Sequence, residues 1–269
     1  MPQFSNPLAP IQIPSWLQHP WLRHGFSTRL GGISTVYSGN TLNLGFTKED
    51  DPASVRENRR LLTDAVFPSA TLIVPRQIHS ALTHTVTSPT EPPIEADGLI
   101  THLPNILLGI GTADCVPILV VDTRLRIASA FHAGWRGTAA RIVESGISHL
   151  RQTYSSHPED LIAAIGPSIG PCCYAVGEEV HTTFFENFSY APHLFTSPTE
   201  PSETRLNLWE ANRLQLASSG LTPSHITTLN LCTACSRDHN GQRSFFSHRA
   251  EHGNAGRMLN VIGIAPAAS

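Results

Sequence analysis

The sequence has few charged side chains. They make up 14% of the 269 residues, whereas about 25% is usual in soluble proteins. Lys48 is the only lysine, and the arginines are spread singly along the chain. A nucleic-acid-binding protein needs clustered positive charge, so this composition and the net charge of −3 argue against one. A lysine Schiff-base enzyme would have to use Lys48, which lies in a polar stretch, and we set that class aside.

Long apolar segments are also missing. No stretch approaches the roughly 18 uninterrupted apolar residues of a transmembrane helix, so we expect no contact with a membrane. Residues 1–20 lack the basic start and the apolar centre of a secretory signal. We therefore expect a cytoplasmic protein with reduced thiols. The odd number of cysteines, five, and the adjacent pair Cys172 and Cys173 also argue against a disulfide framework. Nothing in the sequence indicates an oligomeric state.

Metal-ligating side chains, in contrast, are abundant, with 14 histidines and five cysteines. His79 follows an apolar run, Cys115 lies in a turn between two such runs, and His132 lies near the end of a third. Three protein ligands with an open fourth position are typical of catalytic zinc. Copper is less well supported, because a blue-copper centre usually adds a methionine ligand and the chain has only Met1 and Met258. The spacing leaves open that each histidine is a structural residue.

The remaining four cysteines include a second motif. Cys232 and Cys235 form a CxxC, which is typical of half a zinc site or of a redox dithiol. We expect that Cys172 and Cys173, being adjacent, do not easily reach one tetrahedral metal together. The sequence therefore favours four structural thiols that pack as small apolar groups.

A candidate anion site follows His132. The segment 134–137 leads into a predicted helix, so the backbone N–H groups at residues 137–138 would lie at a helix start, where phosphate binds readily. Arg136 could add a bidentate contact. The alternative is that Arg136 pairs with an acid such as Asp114.

Strand-like and helix-like segments alternate along the chain. Asp51 and Pro52 open the first helix as its N-cap and first residue. Short apolar runs with helices between them predict an α+β fold with mixed β-sheets flanked by helices. Two Pro/Ser/Thr-rich stretches, 88–93 and 197–202, are predicted to be surface loops. The strands are predicted over residues 106–110, 116–121 and 127–131, with weaker candidates at 72–74 and 162–165. The helices are predicted over residues 53–66, 138–150, 177–188 and 208–219.

Taken together, these segments resemble the bacterial YfiH family, the laccase-domain or polyphenol-oxidase-like proteins. The resemblance covers most of the chain, with the segments in the family's order. It implies a single layered α+β catalytic domain over residues 1–269, similar to toxin cysteine hydrolases, with residues 1–20 as a peripheral segment. The shared segments are residues 24–34, 42–45, 57–60, 77–79, 96–98, 112–115, 132–137, 165–174, 208–212, 232–235, 245–247 and 256–258.

The resemblance also implies a chemistry. The family is described as purine nucleoside phosphorylases with adenosine deaminase activity, and its zinc ligands carry over to His79, Cys115 and His132. It implies zinc rather than copper as the cofactor, and purine nucleosides and phosphate as substrates. Three departures from the family pattern, at Ser80, at residues 248–250 and at residues 251–254, leave the ligands unchanged but bear on substrate preference.

Further site residues follow from this interpretation. Asp114 is expected to carry a proton or to orient a ligand. Asn43 and Arg59 lie in family motifs and are expected to contact the substrate. Arg136, with the helix start, is expected to hold the phosphate near the ribose.

Three other functions are compatible with these residues. The likeness to cysteine hydrolases suggests a metal-independent thiol hydrolase or amidase that uses Cys115 and His132. A zinc-bound thiolate has its nucleophilic electrons engaged, so Cys115 should be a ligand first. The others are copper-dependent phenol oxidation and a binding protein in which a closed zinc site is structural.

Overall fold

The helices and strands lie within residues 8–90, 92–196 and 203–266, which a computed structural model of the chain describes. The strands are β1 (Leu22–Phe26), β2 (Leu30–Ser34), β3 (Thr71–Ile73), β4 (Thr83–Thr85), β5 (Gly98–Thr101), β6 (Ile106–Thr112), β7 (Val116–Asp122), β8 (Ile127–Ala133), β9 (Leu161–Ile165), β10 (Ala175–Val176), β11 (Phe195–Thr196), β12 (Thr204–Leu206), β13 (Ile226–Thr228) and β14 (Met258–Ile264). The α-helices are α1 (Pro52–Val66), α2 (Trp135–Ala139), α3 (Ile142–Tyr154), α4 (Glu178–Asn187) and α5 (Leu208–Ser218). Short 3-10 helices lie at Pro14–Gln18, Pro158–Asp160, Ala191–His193 and Pro223–His225.

Two larger sheets and one small sheet organise these strands. The four-stranded sheet has the order β1-β14-β6-β3, and the six-stranded sheet has the order β13-β9-β7-β8-β5-β4. The small sheet has the order β10-β12-β11. The pairs β3/β6, β4/β5 and β13/β9 are parallel, whereas the other pairs within these sheets are antiparallel. This confirms the predicted α+β fold with mixed sheets.

Successive side chains of a central strand face opposite layers of the fold. In β7, Leu119 and Val121 pack against the four-stranded sheet, whereas Ile118 and Val120 pack against α3, α4 and α5. Helix α1 covers the other face of the four-stranded sheet. Because both faces of β7 are buried, its sequence is a nearly continuous apolar run, which explains why the strand could be predicted.

One predicted helix is divided. The sequence predicted a helix over residues 138–150, but α2 and α3 are separate because Arg141 between them adopts the left-handed conformation with φ of 59°. Such a residue cannot continue a right-handed helix. By contrast, α1 begins as predicted: Pro52 is its first residue, and the Asp51 carboxylate accepts a hydrogen bond from the Ala53 N–H at 3.0 Å.

The N-terminal segment requires a correction. Residues 1–20 were expected to be peripheral, but in the described part, 8–20, Ile13 and Trp16 are buried in the core between the sheets. The Ile13 N–H donates to His24 Nε2 at 2.8 Å, which fixes the segment to β1. That residues 1–269 form a single catalytic domain stays a prediction.

Two further sequence predictions concern loops and membranes. The described part of the predicted loop 88–93 has no regular structure and is largely exposed. The predicted loop 197–202 lies outside the described residues. Within the described ranges, no helix combines the length and the apolarity that crossing a membrane requires.

Candidate active site

Three metal-ligating side chains meet at one end of the six-stranded sheet. His132 is the penultimate residue of β8, and Cys115 directly precedes β7. Because β7 and β8 pair antiparallel, with Pro117 opposite His132, the two ligands lie at the same edge. His79 reaches them from the loop between β3 and β4. The ligand atoms of the three residues all lie within 4.8 Å of one another, so these residues form a possible metal site.

Asp97 links two of the three cluster residues by hydrogen bonds. Its carboxylate is buried and accepts a hydrogen bond from His132 Nδ1 at 2.8 Å. It also accepts the backbone N–H groups of Ile78, His79 and Ser80 at 3.1, 3.0 and 2.7 Å, and the Ser80 hydroxyl at 2.8 Å. These bonds stabilise a turn in which His79 has φ of 58°. Because Nδ1 of His132 donates to Asp97, its Nε2 remains for a metal.

The electrostatics of the cluster favour the ligand form of the thiol. Although burial raises the pKa of Cys115, the adjacent His132 and His79 lower it to about 6. Burial lowers the pKa of His132, but Cys115 and Asp97 raise it to about 9. Burial also raises the pKa of Asp97, yet hydrogen bonds from His132 and Ser80 hold it well below its usual range. These directions favour a thiolate on Cys115 beside a protonated His132, and the thiolate is the form that binds metals.

A glycine makes room for the ligands. A Cβ atom at Gly134 would lie 2.9 Å from Cys115 Sγ and 3.5 Å from His79 Cδ2. The first distance is too short for a real contact, so a larger residue would displace the thiol. The donor set fits a borderline transition metal: two imidazoles and one thiolate suit zinc, and copper accepts the same ligands.

The cluster lies in the wall of a cavity of about 850 Å³, a size within the usual range for ligand pockets. Segments from both larger sheets and from the loops at their ends form this cavity. Its lining carries several cationic side chains. They are Lys48, Arg59, Arg249 and Arg257.

Asp114 also lines the cavity, but its carboxylate is engaged. One oxygen accepts the Thr233 hydroxyl at 2.6 Å, and the other accepts the Arg249 backbone N–H at 2.7 Å. Its carbonyl accepts the Ile169 N–H at 2.9 Å, and its φ is 92°. These contacts fix the turn that presents Cys115. Of the two roles expected for Asp114, this geometry favours orienting a ligand over carrying a proton.

The two predicted substrate contacts differ. Asn43 is fully buried and is not part of the cavity lining. Its amide donates to the Asp50 carboxylate at 2.7 Å and accepts the Arg257 backbone N–H at 2.9 Å, so its polar atoms are already used. In this geometry Asn43 supports the cavity wall through Asp50 and Arg257, and contact with the substrate stays a prediction. Arg59 does line the cavity, with Nε donating to the Leu44 carbonyl at 2.8 Å.

The predicted phosphate site after His132 is corrected. Residues 137–138 lie inside α2, and Thr138 is fully buried. The Arg136 side chain is 57% exposed, lies outside the cavity lining and approaches Glu179 at 3.7 Å. Its guanidinium carbon lies 4.2 Å from the centre of the Trp135 ring. Arg136 therefore neither borders the cavity nor pairs with Asp114.

Sequence reasoning missed two features of this region. Asp97 was noticed only as part of the shared segment 96–98, although an acid placed directly before a buried strand was the available signal. The Sγ atoms of all four remaining cysteines also lie within 4.8 Å of one another. The expectation that the adjacent Cys172 and Cys173 do not easily reach one metal together is therefore not supported by this geometry.

Comparisons with known proteins agree with the resemblance seen in the sequence. Residues 23–265 match the family model described as "Multi-copper polyphenol oxidoreductase laccase". Purine nucleoside phosphorylase YlmD of Geobacillus stearothermophilus is 36% identical over 263 residues, which cover 90% of this chain and 94% of that protein. The purine nucleoside phosphorylase of Bacteroides thetaiotaomicron is 34% identical over 254 residues, covering 90% and 91%. The crystal structure of the hypothetical protein YfiH of Bacillus licheniformis has a TM-score of 0.88 at 32% identity, covering 97% of this chain and 98% of that one. The chain thus belongs to the laccase-domain family, the family of YfiH and YlmD.

Proposed function

We propose that the protein is a zinc-dependent purine nucleoside enzyme. It cleaves adenosine, inosine, guanosine or methylthioadenosine with phosphate and deaminates adenosine to inosine. The observation that carries this proposal is a cluster of His79, Cys115 and His132 in the wall of a cavity of about 850 Å³, which has room for a nucleoside and a phosphate ion. Relatives named as purine nucleoside phosphorylases support the substrate class.

The three cluster residues would hold the metal. When bound there, zinc supplies Lewis acidity to the cavity. Asp97 keeps the proton of His132 on Nδ1 and directs Nε2 towards the metal. Cys115 contributes a thiolate, and Asp114 fixes the turn that presents it.

Arginine side chains supply the phosphate site in this proposal. Arg59 and Arg257 are half-buried in the cavity wall, and neither forms an ion pair with a carboxylate of the described residues. Burial lowers the pKa of Arg59 to about 10, so the guanidinium remains charged at neutral pH. A partly buried cation without a counter-charge favours an anionic ligand. Phosphate held there would lie in the same cavity as the metal cluster.

Aromatic side chains give the purine a surface. Phe46 and Tyr174 both line the cavity. The Arg59 guanidinium carbon lies 4.6 Å from the centre of the Phe46 ring, so Phe46 also fixes the arginine that would bind phosphate. A purine base stacks favourably on such rings.

The decisive experiment couples metal analysis to chromatography of nucleosides. We expect the wild-type protein to carry zinc, to convert inosine to hypoxanthine only with phosphate, and to convert adenosine to inosine without it. His79→Ala should lose both activities, whereas the matched variant His193→Ala, at an exposed histidine outside the cavity lining, should keep them. Zinc-loaded protein that leaves adenosine, inosine and methylthioadenosine unchanged with phosphate would refute the proposal.

The same experiment separates the alternatives. The family description favours a copper-dependent phenol oxidase as the second candidate. Copper bound in preference to zinc, together with oxidation of a phenol, would support it. Hydrolysis of an amide or thioester by metal-free protein would instead support a thiol hydrolase.

The phosphate site has its own test. Arg59→Gln removes a charged hydrogen-bond donor worth about 1.5 kcal/mol or more, so we expect the KM for phosphate to rise about tenfold or more. Deamination should be nearly unchanged, because it uses no phosphate. Arg136→Gln is the matched control and should leave the KM for phosphate unaltered. A larger rise of the KM for phosphate in Arg136→Gln than in Arg59→Gln would instead support the phosphate site predicted from the sequence.

A further inference from the structure

Four cysteines form a second cluster of metal-ligating side chains. This cysteine cluster consists of Cys172, Cys173, Cys232 and Cys235, whose Sγ atoms all lie within 4.8 Å of one another. The Sγ atoms of Cys172 and Cys235 are 3.6 Å apart. Zinc–sulfur bonds of about 2.3 Å in a tetrahedron place the sulfurs about 3.8 Å from one another. The four sulfurs are therefore already close to the spacing of a tetrahedral metal site.

The backbone of each segment presents its two thiols. Cys173 and Tyr174 both donate their N–H groups to the Gly170 carbonyl, at 2.9 and 3.0 Å, which closes a tight turn around the adjacent cysteines. In the CxxC segment, the Ser236 N–H donates to the Cys232 carbonyl at 2.9 Å. The Gly170 N–H also points at Cys232 Sγ, at 3.3 Å. Donors of this kind orient sulfur ligands in metal sites.

Backbone hydrogen bonds join the two cysteine-bearing segments without the help of a metal. Ser168 pairs with Cys232 in a parallel bridge, and hydrogen bonds of 3.1 and 3.0 Å flank this bridge, from the Ser168 N–H to the Leu231 carbonyl and from the Thr233 N–H to the Ser168 carbonyl. Parallel pairing brings the residues that follow on both segments to the same side. The cluster is thus a product of the fold and does not depend on side-chain flexibility.

Packing of small apolar groups does not explain the arrangement. Cys172 and Cys235 are exposed, and only Cys232 is buried. An exposed thiol gains little from apolar contact, whereas a metal site near the surface needs an entry path. Four soft sulfur donors select zinc among the common divalent ions, and a site with four protein ligands is closed and structural.

We propose that the cysteine cluster binds one zinc ion in a closed structural site, separate from the cluster of His79, Cys115 and His132. The ion would join residues 168–174 to residues 231–236. These segments carry cavity residues Ile169 and Tyr174 and the hydroxyl of Thr233 that holds Asp114. The second zinc would thereby stabilise one wall of the cavity without contacting the substrate.

The test counts zinc ions in protein purified with a reductant. We expect two ions per wild-type chain, one in His79→Ala, one in Cys235→Ser and none in the double variant. X-ray absorption of the His79→Ala protein should show four sulfur neighbours at about 2.3 Å and no nitrogen. The thermal midpoint of Cys235→Ser should fall by several degrees. Nucleoside turnover is not a readout, so this result and that of the proposed function are independent.

Several outcomes would overturn the second site. They are a single zinc ion in the wild type that His79→Ala removes, nitrogen neighbours around the zinc that remains in that variant, and a Cys172–Cys235 disulfide found by mass spectrometry in unreduced protein. If Cys235→Ser does not fold, X-ray absorption of His79→Ala still decides, because that protein keeps all four cysteines.

Discussion

The two clusters of metal-ligating side chains in this chain differ in what surrounds them. His79, Cys115 and His132 are three ligands of mixed type in the wall of a cavity, with a buried carboxylate behind them. The cysteine cluster has four ligands of one type, and among the residues described none of its members lines the cavity. A metal held by the first three residues would keep a coordination position open towards the cavity, whereas four thiolates would close the coordination in the second. Ligand number and surroundings thus favour a reactive role for the first cluster and a structural role for the second.

What lies behind the ligands differs as well. Together with Cys115, the negative charge of Asp97 next to His132 raises the pKa of the imidazole against the effect of burial. Behind the cysteine cluster lies a neutral backbone N–H, from Gly170 to Cys232. A charged partner tunes the first cluster for chemistry, whereas a neutral partner only orients the second.

The largest expected effect comes from removing one ligand of each cluster. We expect Cys115→Ala to lower nucleoside turnover by more than about 100-fold, because loss of a ligand should cost more than loss of the residues that orient it. Cys235→Ser should lower turnover less but reduce the thermal midpoint more. Steady-state kinetics and thermal unfolding on both variants check this. Equal losses of activity would mean that the two clusters do not divide chemistry from stability.

Alkylation compares the thiols directly. In chelator-treated protein, the Cys115 pKa of about 6 leaves a thiolate at pH 7, whereas burial and the nearby Cys232 raise the pKa of Cys173 to about 11. We expect iodoacetamide to label Cys115 about 100-fold faster, after allowing for the weaker nucleophilicity of a low-pKa thiolate. Because protonation removes the thiolate, labelling of Cys115 should fall as the pH drops below 6 and level off above 7. Peptide mapping by mass spectrometry measures both rates.

Zinc provides the control for alkylation. Adding it back should protect Cys115, since the thiolate then binds the metal. Rapid labelling of Cys115 in protein that holds no zinc as purified, with intact hydrolytic activity, would favour the thiol hydrolase.

Replacing the carboxylate that orients the ligands should have a smaller effect on zinc binding and turnover. Asp97→Asn keeps the shape of the side chain but removes the charge that supports His132, and we expect zinc affinity or turnover to fall about 10- to 100-fold. Ser80→Ala, the control, keeps the Asp97 charge but removes the hydroxyl that donates to Asp97 and accepts the Leu82 N–H, and its effect should be a few-fold. Zinc titration against a competing chelator and turnover assays measure both variants. A loss at Ser80 as large as that at Asp97 would mean that the turn, rather than the charge, matters.

Local sequence patterns predicted much of the fold. Residues 116–121 and 127–131 could be recognised because strands buried on both faces are short apolar runs, and α1 because Asp51 and Pro52 begin it. The break at Arg141 could not, since nothing in the local residues requires a left-handed conformation there. The ligand triad was predicted from residue type and family resemblance rather than from spacing.

Other parts of the site depend on long-range pairing. The cysteine cluster forms because Ser168 and Cys232, which are far apart in the sequence, pair in the folded chain. The sequence of either segment alone does not predict this contact. The position of Asn43 depends on long-range contacts as well, because whether its amide faces the cavity or a buried carboxylate is set by where Asp50 and Arg257 lie.

The carboxylate of Asp97 has a consequence for how the metal enters. Because one side chain fixes both the turn bearing His79 and the ring of His132, these ligands are already ordered when the chain has folded. The entropy lost in ordering them is therefore part of folding and does not weaken metal binding. An incoming ion would meet a preformed site, so its capture would be limited by passage through the cavity and by loss of the proton that His132 carries beside Cys115.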